Sequence, residues 1–228
     1  MKTKLMKLWR EWMKPLFVVL LVTSAFRSAV ADWYDVPTGS MKPTIIEGDR
    51  IFVNKLAYDF KVPFTTIHIA DWSNPQRGEV VVFYSPADGK RLVKRVVGVP
   101  GDMIKMRDNR IYVNGKVALY ETLDRKIVDW IPRQEQPDHS FAAEEIENRS
   151  HPVMLTPAKP SLRSFEATVV PAAHYFVMGD NRDNSYDSRW FGFVERSSIV
   201  GRALTVVASL NPDHYYAPRW QRFFTPLP

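Results

Sequence analysis

Hydrophobic and polar positions divide the chain into regions of different period. Between Lys14 and Asp32 lie seventeen residues of which only Arg27 is charged, an apolar run of helical length. Beyond it the pattern changes to that of strands. Arg50-Ile51-Phe52-Val53-Asn54-Lys55 alternates, whereas Glu79–Tyr84 and Leu92–Val99 have the unbroken apolar character of strands covered on both faces. Turn signals at Glu47-Gly48-Asp49, Arg77-Gly78, Ala87-Asp88-Gly89 and Pro100-Gly101-Asp102 separate these runs. Arg110–Val117 predicts a hairpin that turns at Asn114-Gly115. From about Glu121 to Arg163 the chain is charged, Pro-containing and weakly periodic, which predicts an elaboration with short strands of its own. Regular strands resume at Ala167–Val170, Tyr175–Met178 and Ser198–Ser209. The pattern shows neither an internal repeat nor a long amphipathic helix, so the expected class is mainly β and largely antiparallel.

The apolar run admits two readings. At about 1.5 Å per residue its seventeen residues span roughly 26 Å, slightly short of a bilayer core of about 30 Å. Trp9, Trp12, Trp33 and Tyr34 flank it as interfacial aromatics do, and Arg27 near one end can snorkel. Alternatively it is a cleavable signal peptide ending at the small-residue site Ala29-Val30-Ala31. Either reading exports the bulk of the chain. Trp220, Phe223 and Phe224, with Arg219 and Arg222, form an aromatic-basic segment near the C-terminus; it either dips into lipid headgroups or packs on the core.

Charge adds one distinction. The net charge of +6 raises nucleic acid as a partner, but Lys2, Lys4, Lys7, Arg10 and Lys14 crowd the first fourteen positions. That placement is the signature of a cytoplasmic N-terminus. No recognition helix, zinc knuckle or aromatic-basic motif accompanies the rest, so no nucleic-acid partner is expected. The chain has no cysteine, which removes disulfides, thiolate nucleophiles and cysteine-based zinc sites. The histidines (His68, His139, His151, His174, His214) are scattered and none forms an HxxxH pair, so no metal site and no cofactor are expected.

Three segments carry candidate chemistry. Pro37-Thr38-Gly39-Ser40-Met41-Lys42-Pro43-Thr44 puts a serine in a bent, proline-bracketed turn just beyond the apolar run. It is not a G-x-S-x-G elbow, and no histidine lies in a recognisable motif with it. Lys94 is the better base. An ordinary lysine titrates near 10.4, so work at neutral pH needs a downward shift of about two to three units, which burial can supply. On a strand Leu92, Lys94 and Val96 share one face, so Lys94 can point between apolar neighbours while Arg95 is expected to stay wet. The third segment, Gly179–Arg189, is too rich in acids, amides and arginine for a generic turn. It does not fit a calcium loop, since neither Asp180 nor Asp183 as first ligand gives Gly at position six and Glu at position twelve. It suits a polar network beneath a catalytic site, with Asp187 paired to Arg189 and Ser185 orienting a lysine amine.

These segments, in this order and spacing, resemble the type I signal peptidases, a family of membrane-bound serine proteases with a Ser/Lys dyad. Pro37–Thr44, Leu92–Gly98 with Pro100-Gly101-Asp102, and Met178–Ser185 continuing through Asp187-Ser188-Arg189 match the family's boxes, and Gly192-Phe193-Val194 with Val200–Ala203 extends the last. The resemblance runs from about Phe26 to Ala208, apart from the middle elaboration. It implies Ser40 as nucleophile and Lys94 as general base. The Ser40 backbone N–H and the Thr38 hydroxyl, where the family often has serine, would form the oxyanion hole. Ser185 would bond the Lys94 amine, Asp187 and Arg189 would hold the loop, and Val36 and Val93 would wall shallow pockets for small side chains. The implied substrates are the signal peptides of exported preproteins, cut after A-x-A.

The implied architecture is a β-rich catalytic core at 32–102 and 169–228, split by a smaller inserted β domain at 103–168. A cytoplasmic segment (1–14) and a single transmembrane anchor (15–31) would precede it. The catalytic domain would stand on the outer face of a bacterial inner membrane, in contact with the lipid bilayer. The run directly before the serine box favours the anchor, and Ala29-Val30-Ala31 becomes a possible self-cleavage site. Rival readings are a specialised Ser/Lys peptidase for pilin, conjugation or organelle inner-membrane substrates, a self-cleaving repressor-like protease, and a membrane-tethered β scaffold without activity.

Overall fold

The computed structural model describes Met6, residues 9–65 and residues 67–228; Lys2, Lys4 and Lys7 of the basic N-terminus lie outside the described residues. The apolar run forms a helix that projects from the folded body. Helix α1 (Lys14–Ala29) follows a π-helical turn at Trp9–Met13, and of these residues only Ala29 is buried. Pro15 sits in the first turn, where a missing N–H leaves no bond unmade. Together the two elements give 21 residues from Trp9 to Ala29, long and apolar enough to cross a membrane. At about 1.5 Å per residue that is roughly 31 Å, so the marginal length of the seventeen-residue run disappears once the turn before it is counted.

The C-terminal end of α1 is tied to the body. The Lys55 amine donates to the carbonyls of Arg27 (2.7 Å) and Ser28 (3.3 Å), a cation at the negative end of the helix dipole. Arg27 pairs with Asp32 at 2.7 Å and stacks 4.9 Å from the Trp33 ring centroid. The helix stops before the expected residue 31, because Ala31 already opens strand β1 (Ala31–Asp35), opposite Asn54. The bond after Ala31 therefore lies within a paired strand.

The main sheet has nine strands. Its path uses β1, β2 (Asp49–Asn54), β3 (Val80–Tyr84), β4 (Arg91–Gly98), β5 (His174–Met178), β6 (Val194–Glu195) and β7 (Ile199–Asn211), in the order β1-β2-β7-β3-β4-β5-β6. Every neighbouring pair on this path is antiparallel. Two short strands at Ala217–Pro218 and Thr225–Pro226 also pair with β7. Strand β7 joins the two halves: its first residues pair with β3 and its later ones with β2, with register shifts between Ile199 and Gly201, Ala203 and Thr205, and Val206 and Ala208. Such irregularities bend a strand and raise its twist. The sheet curls enough for Arg91 of β4 to lie 3.8 Å from the ring centroid of Tyr34 in β1, although three strands separate them.

Apolar residues fill both faces of this sheet. Val80 and Val82 pack with Val36, Met41, Ile51 and Val53, while Val81 and Phe83 pack with Val96, Tyr175 and Val177. That two-sided cover is why Glu79–Tyr84 lacks alternation.

Residues 103–169 form two smaller sheets. One joins Phe165–Val169, Met103–Arg107, Arg110–Val113 and Lys116–Val117; the other joins Leu119–Thr122, Ser140–Ile146 and Arg149–Leu155. The Asn114-Gly115 turn forms, with φ of 51° and 80°. A second tight turn, at Glu147-Asn148 with φ of 50° and 64°, carries no glycine signal and was invisible in the pattern. Ile104, Met106, Ile111 and Ile146 pack with Val97, Phe176 and Met178, so these sheets share an apolar cluster with the main one.

The C-terminal segment divides by residue type. Arg222 is buried, bonded to Asp49 and to the Thr44 carbonyl and lying 5.0 Å from the Trp130 ring centroid. Arg219 donates to the Glu47 carbonyl at 2.9 Å and to Asn211 at 3.1 Å. The two arginines thus belong to the body and not to lipid headgroups, which corrects the first reading for them. Trp220 and Phe224 stay 71% and 74% exposed, which corrects the second.

Candidate active site

Ser40 sits in a short 3-10 turn, Gly39–Met41, placed by what flanks it. Upstream, the Val36 N–H bonds the Asp49 carbonyl at 2.9 Å; downstream, Met41 and Ile45 are driven into the core. From across the molecule Asn181 donates its backbone N–H to the Ser40 carbonyl (3.1 Å) and its side-chain amide to the Gly39 carbonyl (3.0 Å). The serine turn and the polar loop are thereby clamped together.

Lys94 lies in the middle of β4 and is only 2% exposed. Its Nζ is 2.6 Å from Ser40 Oγ and donates to the Val93 carbonyl at 3.0 Å. Among the described residues no carboxylate lies within 4.0 Å of this amine to hold it charged. Burial is the main cause that lowers its pKa, to about 8; the charges of Asp187 and Asp180 oppose the shift and that of Arg189 adds to it.

Asp187 and Arg189 do pair. Arg189 Nε donates to Oδ1 and Nη2 to Oδ2, each at 2.8 Å, and Oδ2 also accepts the Gly179 N–H at 3.0 Å. Burial alone would raise the Asp187 carboxyl, but these bonds and the Arg189 charge outweigh it and hold the group below its ordinary value. Ser185 departs from expectation. It makes no bond to Lys94, whose amine meets Ser40 Oγ and the Val93 carbonyl instead, and its Oγ is buried without a hydrogen-bond partner. A side chain on Gly179 would run into both Ser185 Oγ and the Ser40 carbonyl. Gly179→Ala is therefore expected to lower both cleavage and stability, the latter by about 1–3 kcal/mol as for other overpacked sites; thermal melts and turnover measured together check this.

Arg95 is not wet. It is buried with Asp180 in a two-pronged pair, Nε to Oδ1 at 2.9 Å and Nη2 to Oδ2 at 2.7 Å, and Thr44 Oγ1 bonds the same carboxylate. The expectation failed because the face of β4 that carries Arg95 is covered by other segments: its guanidinium also donates to the Gly78 and Pro228 carbonyls, at 2.7 and 2.6 Å. A second buried cluster escaped the sequence reading altogether. Glu144, from the Ser140–Ile146 strand, receives Arg182 on both oxygens and the Tyr120 hydroxyl at 2.5 Å, and His151 Nε2 lies 3.2 Å from its Oε1. Charged residues amid strand-like alternation (Ala143-Glu144-Glu145-Ile146, Ser150-His151-Pro152-Val153) were the available signal. Asp59, His68 and Asp71 also gather within 4.8 Å of one another, but Lys61 and Arg196 already pair with Asp59.

A cleft of about 600 Å³ opens over the pair and is lined by Thr38, Ser40, Lys94, Ser185 and Tyr186 among others. Thr38 is exposed there, beside the serine. Val36 and Val93 lie in one apolar cluster, Val36 buried and Val93 partly so. On the β5 side, pairing with β4 covers only Arg95, Val96 and Gly98, so among the described residues Arg91–Lys94 have a strand partner on one side only.

A mainly β body that sets a serine against a buried lysine has the makings of a serine peptidase. The signal peptidase (peptidase S26) family model matches residues 9–208. The signal peptidase I of Pseudomonas aeruginosa is 35% identical over 229 residues, covering 93% of this chain and 77% of that protein. The signal peptidase I of Buchnera aphidicola from Schizaphis graminum is 30% identical, with 86% and 74% covered. A signal peptidase I crystal structure from Enterococcus faecalis is 31% identical over 57% of this chain and 97% of that one, but at a TM-score of 0.36 the overlay says nothing about the fold. The chain belongs to the S26 signal peptidases, serine proteases that remove signal peptides.

Proposed function

We propose that this protein is a membrane-anchored endopeptidase that cuts signal peptides from exported preproteins after A-x-A, through a Ser40/Lys94 dyad. The observation that carries the reading is the 2.6 Å contact between Ser40 Oγ and an amine that is buried and free of carboxylate contact. The neutral amine takes the hydroxyl proton as Ser40 Oγ attacks the scissile carbonyl. The Ser40 N–H and the Thr38 hydroxyl stabilise the resulting oxyanion. As the C–N bond breaks, the Lys94 ammonium returns the proton to the leaving amine; a water then hydrolyses the acyl-enzyme with Lys94 again as base. Asp187 and Arg189 keep the loop under this pair rigid, and Ser185, unpartnered in this structure, is placed to receive the amine when Ser40 is acylated.

The substrate binds as an added strand. Leu92 and Val93 have no strand partner on the β5 side, next to Lys94, and β1 is an edge strand that leads into the serine turn. An extended peptide laid there gives alternate side chains to one face, where Val36 and Val93 leave room for small residues at −1 and −3. Helix α1, the one candidate span among the described residues, crosses the membrane, with the catalytic body on the outer face of the inner membrane and exposed Trp220 and Phe224 resting at the interface.

The test is cleavage of a preprotein bearing an A-x-A site by the full chain in detergent, with N-terminal sequencing of the product. Wild type is expected to cut after the second alanine and Ser40→Ala to be inert while melting normally. Persistent cleavage by Ser40→Ala would overturn the assignment.

A further inference from the structure

Beside the end of α1 lies a cavity of about 680 Å³ that peptide cleavage does not use. Its wall joins the helix end (Ser28, Ala29) to β1 (Tyr34), β4 (Arg91) and a two-stranded hairpin, Asp59–Lys61 with His68–Asp71, that carries Lys61 and Phe64. The Phe64 N–H donates to Ser28 Oγ at 2.7 Å, so the hairpin is docked on the helix at this point. Three cations, Lys55, Lys61 and Arg91, line the cavity against one carboxylate, Asp32.

The cations are not equally engaged. Lys55 serves the helix carbonyls and Asp32; Lys61 bonds the Ile199 carbonyl at 2.9 Å and pairs with Asp59 at 2.9 Å. Burial lowers the pKa of both amines, so a further anion nearby would relieve an existing strain on their charged forms. Arg91 has no carboxylate within 4.0 Å among the described residues and rests on the Tyr34 ring. The rim is apolar: Phe64 and Ile67 are each 63% exposed. On the membrane-anchored reading above, the end of the hydrophobic span sets this rim at the hydrocarbon boundary and the cavity in the headgroup layer, which is about 5–8 Å thick on each side.

We propose that this cavity binds the phosphate of an anionic lipid headgroup, with Arg91 as its direct donor, Lys55 and Lys61 supplying the field, and Phe64 and Ile67 against the acyl chains. Guanidinium is the group best matched to phosphate oxygens, and a free phosphate shares that chemistry but not the apolar rim. Because Arg91 begins the strand that carries Lys94, an occupied site fixes the body's tilt over the bilayer and brings the cleft to an emerging cleavage site.

The full chain is reconstituted in phosphatidylcholine vesicles with and without phosphatidylglycerol, and KM is measured for a vesicle-inserted preprotein. Wild type is expected to show a KM about three- to tenfold lower with the anionic lipid. Arg91→Gln with Lys61→Gln should lose most of that gain, and Lys116→Gln, on a distant exposed hairpin, should keep it. Each variant is expected to cut a short soluble peptide in detergent at the wild-type rate; failure of wild type itself on that peptide would count against the catalytic reading instead. An unaltered lipid response in the double variant would overturn the proposal. So would millimolar inorganic phosphate giving the same gain in phosphatidylcholine vesicles, or Lys116→Gln losing as much of the gain as the double variant.

Discussion

Lys94→Met is expected to abolish cleavage and to raise the melting temperature in the same protein. On the proposed Ser40/Lys94 dyad, the substitution removes proton transfer from both halves of the reaction, about a 10²–10⁴-fold fall in turnover. Stability moves the other way because the amine is buried where its charge is disfavoured. Its folded pKa of about 8 lies below the ordinary 10.5. Folding must then hold a cation in a poor environment whenever the pH is below about 8, which costs about 3 kcal/mol at 1.36 kcal/mol per unit. Methionine fills similar volume without charge. It forfeits the contacts to Ser40 and the Val93 carbonyl, about 1 kcal/mol each, so the net gain is about 1 kcal/mol, or roughly 2–4 °C for a chain of this size.

The sign is specific to pH. The gain should be complete below pH 8 and should shrink as the pH rises toward 10.5, where the unfolded lysine also loses its proton. For the wild type, kcat/KM should climb about tenfold per unit up to pH 8 and then level off. A variant that melts below wild type at pH 7, or a flat wild-type profile between pH 6 and 9, would contradict the buried-base account.

The second large effect is expected at Glu144, which touches neither Ser40 nor Lys94. Glu144→Ala leaves the buried Arg182 guanidinium without its counter-charge, a change that typically costs 3–5 kcal/mol and lowers the melting temperature by roughly 6–20 °C. Cleavage should fall as well, because the Arg182 carbonyl accepts a bond from Arg189, the partner of Asp187 beneath the active site. Glu144→Ala with Arg182→Met should recover much of the stability, since it removes both charges at once. If the single variant melts within 1 kcal/mol of wild type, the cluster does not hold the loop.

The same cluster predicts acid sensitivity. Burial is the largest cause depressing the His151 pKa, assisted by Arg95. For Glu144 burial works upward, yet the Arg182 charge and its hydrogen bonds prevail and hold the carboxyl far below the usual range. Both groups therefore contribute stability that is lost on acidification, His151 below about pH 6.5 and Glu144 only below about 4.5. Melting temperature should decline in two stages over that range, and His151→Asn should remove the upper one.

What could be read from the sequence was local or periodic. The apolar run, the strands at 50–55, 79–84 and 92–99 and the Asn114-Gly115 turn each follow from neighbouring residues, and each forms. Ser40, Lys94, Asp187 and Arg189 could be picked out because their segments are chemically unusual for a turn, a strand and a loop. Resemblance to a family supplied their roles, which no spacing could have given.

Partnerships between distant residues were decided only by the fold. Alternation on β4 correctly gave Lys94 apolar neighbours, yet left Arg95 in water, because a strand's own pattern does not reveal which distant segments, here Gly78, Asp180 and Pro228, cover its other face. The curl introduced by the irregular β7 sets Tyr34 against Arg91, and docking of the 103–169 sheets sets Glu144 against Arg182. Neither contact has a sequence signal, since each depends on how segments some 60 and 40 positions apart are packed together. Ser185 makes the same point: its place in the loop was legible, but which groups the Lys94 amine meets, Ser40 Oγ and the Val93 carbonyl, was decided by packing. A sequence specifies which groups want burial or company; tertiary packing alone chooses the company.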